Sequence, residues 1–267
     1  MIILAHGMPK SGSTFLYQVI RDLAEIHNGA SSYEIRERYL STSPINHEDF
    51  YTTIDDETLI DAMKHIPDDV LYVIKSHGML SNYCLSQLGE KKLYVFYSYR
   101  DPRDVALSML DAGRQERDHG IERYFYQFST AASLLDPIRL AFTCVEPLMK
   151  NPDAFDYPYF IIAEAQDWVI RNIAEKLGLG ARADCVTRKY VRAGNTDTIV
   201  EFNKGIYDRF LSELDAETIS ALTEALGHEI GMVDKQSRDF AERENLSLLY
   251  SNLIQHRDQA LLENCRR

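Results

Sequence analysis

The chain has 267 residues, 45% hydrophobic and 26% charged, the make-up of a soluble globular protein long enough for one α/β domain with its own core. Its 29 lysines and arginines against 41 aspartates and glutamates give a formal charge of −12 at pH 7, which weighs against nucleic acid or a polyanionic glycan as the main partner and suits a neutral or cationic small molecule. No apolar run approaches the roughly 18–20 residues of a membrane span, and Met1 leads straight into an apolar segment with no basic leader, so a cytoplasmic protein without a membrane partner is expected.

Residues 1–7, MIILAHG, are a short apolar run closed by glycine, the pattern of a buried parallel strand. The loop GMPKSGSTFL (7–16) follows, and then Phe15, Leu16, Val19, Ile20, Leu23 and Ile26 recur at helical spacing. A strand, a glycine loop and a helix in that order can hold an anion. The glycines let backbone N–H groups converge on it, and the helix adds its positive N-terminal end. Lys10 supplies a mobile charge, while Ser11, Ser13 and Thr14 supply hydroxyl donors around Gly12. The triphosphate-binding pattern G-x-x-x-x-G-K-[ST] would put lysine directly after the second glycine; Ser13 stands there, and Lys10 comes before Gly12.

Residues 28–69 read as polar and loop-rich, with an acidic stretch from Glu48 to Asp69 that meets almost no basic partner except Lys64. That stretch is either a solvated face or the wall of a pocket hospitable to cations. VLYVIKSHG (70–78) is a second buried strand, bringing Lys75, Ser76 and His77 to its C-terminal end. A histidine there, with an ordinary pKa near 6.5, is a candidate general base. His6, at the end of the first strand, either lines the pocket or packs in the core, the second being the commoner place for such a histidine. KLYVFYSYRDPRDVALSML (92–110) is a third strand running into a helix, with Pro102 in the first turn. Arg100 closes that strand, where open α/β sheets place ligands, and Ser108 lies eight residues on; together they can grip one phosphate. The competing reading is a surface salt-bridge cluster of Arg100, Asp101, Arg103 and Asp104.

Further along, 119–149 reads as helical with breaks near Pro137 and Pro147, YPYFIIAEA (157–165) as a fourth strand, and WVIRNIAEKLGLG as a helix ended by Gly178. In EFNKGIYDRF (201–210), Lys204 and Gly205 suit a late loop folding over a nucleotide, with Phe202 as a stacking platform. DAETISALTEALG starts on an Asp215 cap. Residues 235–267 form a helical tail that either packs on the domain or mediates a homodimer. The alternation of strands and helices predicts a single α/β domain over 1–267, with a central parallel sheet flanked by helices on both faces. Cys84, Cys144, Cys185 and Cys265 are scattered and read as reduced thiols rather than a disulfide frame or zinc site.

Four of these segments, in this order, resemble the PAPS-dependent sulfotransferase family, of the soluble small-molecule type. Pro9-Lys10-Ser11-Gly12-Ser13-Thr14-Phe15 is similar to the family's 5′-phosphosulfate loop P-K-S-G-[ST]-T-W. Lys75-Ser76-His77 is similar to K-T-H. Arg100 to Ser108 follows R-[DN]-P-[RK]-D-V-x-x-S throughout, and Asn203-Lys204-Gly205 is similar to R-K-G. The resemblance spans roughly residues 1–230. It implies a P-loop-type fold, PAPS as donor, PAP as product, and in-line sulfuryl transfer to a hydroxyl or amine of a small-molecule acceptor without a metal. His77 would be the base, with Lys10 and Lys75 stabilising charge on the sulfuryl oxygens and leaving phosphate. Arg100, Ser108, Lys204 and Gly205 would hold the 3′-phosphate. Phe15 replaces the adenine-stacking tryptophan, Ala163 stands where a tyrosine often contacts adenine, and Asn203 removes one charge. The acidic stretch extends the expectation to a cationic natural product of secondary metabolism, such as a saxitoxin-type guanidinium alkaloid. The alternatives are a P-loop nucleotide kinase or NTPase, and a non-catalytic PAP(S)-binding sensor.

Overall fold

The computed structural model describes residues 1–41, 50–51, 54–88, 93–190 and 207–264. Five parallel strands form one sheet in the order β2-β3-β1-β4-β5, with β1 at Ile2–Gly7, β2 at Phe50–Tyr51, β3 at Tyr72–Ser76, β4 at Leu93–Tyr99 and β5 at Phe155–Pro158. The central strand β1 is buried along its whole length, as a two-sided apolar run requires. Its register sets Ala5 beside Lys75 and Phe96, and His6 beside Ser76 and Tyr97. The C-terminal ends of β1, β3 and β4 therefore open on one edge.

Side chains alternate between two cores. Ile3, Ala5, Val73 and Phe96 meet helix α1 (Ser13–Asn28) together with α8 (Gln166–Lys176) and α9 (Ala183–Tyr190). Ile2, Leu4, Ile74 and Val95 meet α3 (Asp56–His65), α5 (Pro102–Asp118) and α6 (Leu135–Met149) on the other face. Helices α1 and α5, which follow the adjacent strands β1 and β4, thus cover opposite faces. Their starts flank a crevice at the strand ends, the usual ligand position in open α/β sheets. The parallel sheet covered on both faces is the predicted fold class.

Three local expectations change. The segment 28–69 is not mainly loop among its described residues: α2 (Ser32–Tyr39) starts with a Ser31/Glu34 capping box, and α3 starts on Asp55, whose carboxylate accepts the Thr58 N–H at 2.7 Å. The predicted strand 157–165 stops at Pro158, and Tyr159–Glu164 is helix α7. Proline lacks a ladder donor, and five consecutive apolar residues do not by themselves distinguish strand from buried helix. Residues 121–130, expected to be helical, form turns, while Pro137 and Pro147 both lie inside α6, in its first and last turns. No helix among the described residues is long and apolar enough to cross a membrane. Cys84, Cys144 and Cys185 are free thiols, and Cys265 lies outside the described residues.

The C-terminal part is helical, as expected, beginning with α12 (Gly227–Arg243) and continuing as α13 (Ser247–Asn264). It packs on the domain, with the Tyr250 ring 5.3 Å from that of Phe160, and α13 is tied to α12 by the Arg257–Asp234 pair at 2.8 Å. A cleft of about 660 Å³ lies between α12 and α13, lined by Arg238, Tyr250, Ile254 and Arg257 among others, and contains none of the predicted site residues.

Candidate functional site

The loop after β1 turns on two points of close approach. Gly7 crosses the end of β4 so tightly that a Cβ there would come within 2.4 Å of the Ser98 hydroxyl. Gly12, at φ +90°, is the N-cap of α1, and a Cβ there would sit 3.0 Å from the Ile162 side chain on α7. Lys10 also takes a left-handed backbone, at φ +65°. No side chain caps α1, whereas α2, α3 and α5 carry Ser31, Asp55 and Asp101 caps. The first N–H groups of α1 have no intrahelical acceptor and face the crevice end of the sheet with the positive end of the helix dipole.

The predicted loop residues divide into two groups. Ser11 turns inward: it donates to the Met8 carbonyl at 2.6 Å and shares a hydrogen bond with the Ser98 hydroxyl at 2.7 Å. Its hydroxyl braces the loop rather than facing the crevice. Ser13 is buried at the first turn of α1. Thr14 accepts a hydrogen bond from the Lys75 ammonium at 2.7 Å, which joins the ends of β3 and the loop. Lys10 projects its ammonium 4.8 Å from the centre of the Phe125 ring. Phe15 is only 1% exposed and meets Tyr190 edge-on at 5.8 Å, so here it is a core ring and not an open stacking face.

His77 follows β3, and its Nδ1 lies 2.6 Å from the Gly7 carbonyl. A carbonyl only accepts, so Nδ1 carries the hydrogen and Nε2 keeps its lone pair. Burial first, then Lys75, pushes the His77 pKa down to about 3, with the Gly7 carbonyl opposing. The imidazole is thus neutral at pH 7, in the tautomer that takes a proton at Nε2. An anion bound between Lys10 and Lys75 would offset their charges and make this nitrogen more basic.

Arg100 is 2% exposed. Its Nη1 donates to the Lys10 carbonyl at 3.2 Å, its Nε and Nη2 donate to Asp104 at 3.2 and 3.0 Å, and its guanidinium lies 3.8 Å over the Tyr159 ring. The Arg100–Asp104 and Arg103–Asp101 pairs do form, but they are buried rather than lying on the surface as the competing reading has it. Asp104, which the sequence reading placed only in that cluster, is a hub. It also accepts the N–H groups of Asp208 at 2.9 Å and Phe210 at 3.0 Å, tying α5 to the chain before α10 (Phe210–Glu213). The visible signal was the four-residue spacing of arginine and aspartate on a helix start. Burial, with Asp104 and Asp101 beside it, pushes Asp208 up to about 8. Ser108 is buried on α5, and Ala163 is half-buried on α7. Phe202, Asn203, Lys204 and Gly205 lie outside the described residues.

One edge of the sheet thus gathers Lys10, Thr14, Lys75, His77 and Arg100 around an uncapped helix start. A sulfotransferase domain profile matches residues 2–174, nearly the whole span that builds this edge. The chain belongs to the sulfotransferase family. No curated protein sequence is similar enough to match. Among solved structures, mouse sulfotransferase SULT7A1 complexed with PAP shares the fold at 16% identity and a TM-score of 0.54, over 86% of this chain and 84% of that one. Retinol dehydratase with androsterone and the inactive cofactor PAP matches at 16% identity and 0.52, over 86% and 80%. The same enzyme with retinol and PAP gives 16% and 0.51, over 86% and 81%.

Proposed function

We propose that this sulfotransferase moves the sulfuryl group of PAPS to a hydroxyl or amine of a small molecule. The observation that carries the reading is the convergence of Lys10, Lys75 and the neutral His77 on the uncapped start of α1, within the matched domain. The donor's 5′-phosphate would lie on the α1 N–H groups, with Lys10 and Lys75 flanking the sulfuryl group. The acceptor oxygen or nitrogen attacks sulfur as the bond from sulfur to the bridging oxygen breaks, and the leaving electron pair goes to the 5′-phosphate of PAP. His77 Nε2 takes the acceptor proton, while the lysines stabilise the charge gathering on the phosphate. Arg100 and Ser108 are assigned to the 3′-phosphate, together with Lys204 and Gly205. Arg100 is already held in place by Asp104 and Tyr159, which limits the ordering cost of binding.

For the acceptor, Tyr124, Phe125 and Phe128 form an edge-to-face cluster beside Lys10, which favours a molecule with a flat or apolar body. Such rings also attract cations, so a guanidinium natural product of the saxitoxin type stays within the reading. The acidic stretch contributes less to it. Asp55 caps α3, Asp56 accepts from Ser81, and Asp61 faces His65 at 3.2 Å. The test is calorimetry with PAP, ATP and adenosine 5′-phosphosulfate. PAP is expected to bind tightest, and a preference for ATP would overturn the donor assignment. Labelled PAPS offered to panels of phenols, alcohols and amines then identifies the acceptor class.

A further inference from the structure

Helix α13 is apolar on two sides. Its inner side packs on the domain: Leu249, Leu253 and Ile254 lie against the core that holds α1 and α8, the Tyr250 ring meets Phe160, and Arg257 pairs with Asp234 on α12. An amphipathic helix on one core turns a single apolar face inward and a polar face to solvent. Yet Leu248 and Leu262, on the outer side, are 77% and 61% exposed. They belong to one pattern. Leu248, Asn252, Gln255, Gln259 and Leu262 follow at alternating steps of four and three, so they share one stripe of the helix, and all five are exposed. The stripe carries no charge, on a chain whose formal charge is −12. The cleft of about 660 Å³ between α12 and α13 runs beside it, and Gln255, Gln259 and Leu262 belong to both. The sulfotransferase profile ends at residue 174, so α13 lies outside the matched domain, and none of the crevice residues lies on it.

We infer that this stripe is the contact face of a homodimer, in which α13 of a second copy lies antiparallel across it. Spacing, charge and size each select a second copy as the occupant. Gln255 stands seven residues from each leucine. A two-fold axis at Gln255 therefore sets Leu248 of each copy on Leu262 of the other, Asn252 beside Asp258, and Gln255 against its own counterpart. One half of the stripe complements the other half, as a two-fold contact requires. Two chains of charge −12 repel, and an uncharged face is where they approach at least cost. The helix has 18 residues, about 27 Å of contact, and with the adjoining cleft wall each copy can cover on the order of the 800 Å² of a standard interface. Gln255 at the centre of the seam fixes the register, as a lone polar residue between paired helices does, and makes the pairing weaker than an all-apolar one.

The test is sedimentation velocity of the whole chain from about 1 to about 200 μM at pH 7, with thermal unfolding as the check that each variant folds. The wild type is expected to pass reversibly from monomer to dimer with a Kd of about 1–100 μM. Raising NaCl from about 50 to about 300 mM screens the like charges and is expected to tighten the dimer about 3-fold or more. Leu248→Glu sets a carboxylate against a leucine and is expected to weaken pairing at least about 10-fold. Adding Leu262→Lys to the same chain is expected to restore the dimer, because each glutamate then faces the lysine of the other copy. Gln255→Leu is expected to tighten it about 10-fold. A wild type that stays monomeric over the whole range overturns the inference. So does a dimer that survives Leu248→Glu, a folded double variant that stays monomeric, or a dimer that weakens as salt rises. Monomers that instead float with phosphatidylcholine vesicles would assign the stripe to a lipid surface and overturn it as well.

Discussion

Replacing His6 by glutamine should flatten the acid limb of the protein's stability curve. His6 ends the central strand, is fully buried, and has no hydrogen-bond partner of good geometry at either ring nitrogen among the described residues. Burial lowers its pKa to about 4, partly opposed by the Cys144 backbone. The folded protein therefore keeps His6 neutral, while the unfolded chain takes up a proton below about 6.5. Between those values the unfolded state binds more protons, so stability is full above about pH 6.5, falls as the pH drops, and changes no further below about 4. From pH 7.5 to 5.0 this one group removes about 2 kcal/mol. Glutamine has a similar size and does not titrate, so His6→Gln shifts stability equally at both pH values. Urea unfolding of both proteins at pH 7.5 and 5.0 measures the effect. The wild type should lose about 2 kcal/mol more than the variant over that interval, with equal m-values. Equal losses would falsify the claim that His6 is held neutral in the fold.

Three further expectations concern the crevice. His77→Ala should abolish sulfuryl transfer while PAP affinity stays near wild type, and a wild-type rate would remove His77 from the base role. Gly12→Ala forces a Cβ against Ile162 at φ +90° and should cost about 1–3 kcal/mol in unfolding free energy, together with weaker PAP binding; unchanged thermal stability would show that the loop relaxes freely. Asp104→Ala leaves Arg100 and the Asp208 and Phe210 N–H groups without their buried acceptor. It should lower stability by about 3–5 kcal/mol in urea unfolding, and a loss below about 1 kcal/mol would mean that water replaces the carboxylate.

The sheet was legible because its strands are buried on both sides. Continuous apolar runs in MIILAHG and VLYVIKSHG, each closed by glycine, leave little choice of element, and the loop between β1 and α1 follows from its glycines. The run YFIIA misled because it is apolar at every position. A short buried helix and a buried strand then look alike, and the stop at Pro158 was the signal that separates them. In the site, the charged residues were visible one by one, but their partners were not. Lys10 meets Phe125 across 115 residues, and Ser11 meets Ser98 across 87, contacts set by the sheet order rather than by local spacing. The buried state of Arg100 and Asp104 was equally hidden, because the same four-residue spacing occurs on solvated helix faces.

The bond from Arg100 to the Lys10 carbonyl has one more consequence. If Arg100 reads the phosphate at the ribose end of the donor and Lys10 serves the sulfur end, a single peptide group carries news from one end of the molecule to the other. No domain need close for that message to pass. A donor shortened at the ribose would then arrive with its reacting end poorly set, and the defect would appear in turnover as well as in affinity. A substrate with the correct reacting group would still be refused on the strength of a phosphate that takes no part in the reaction.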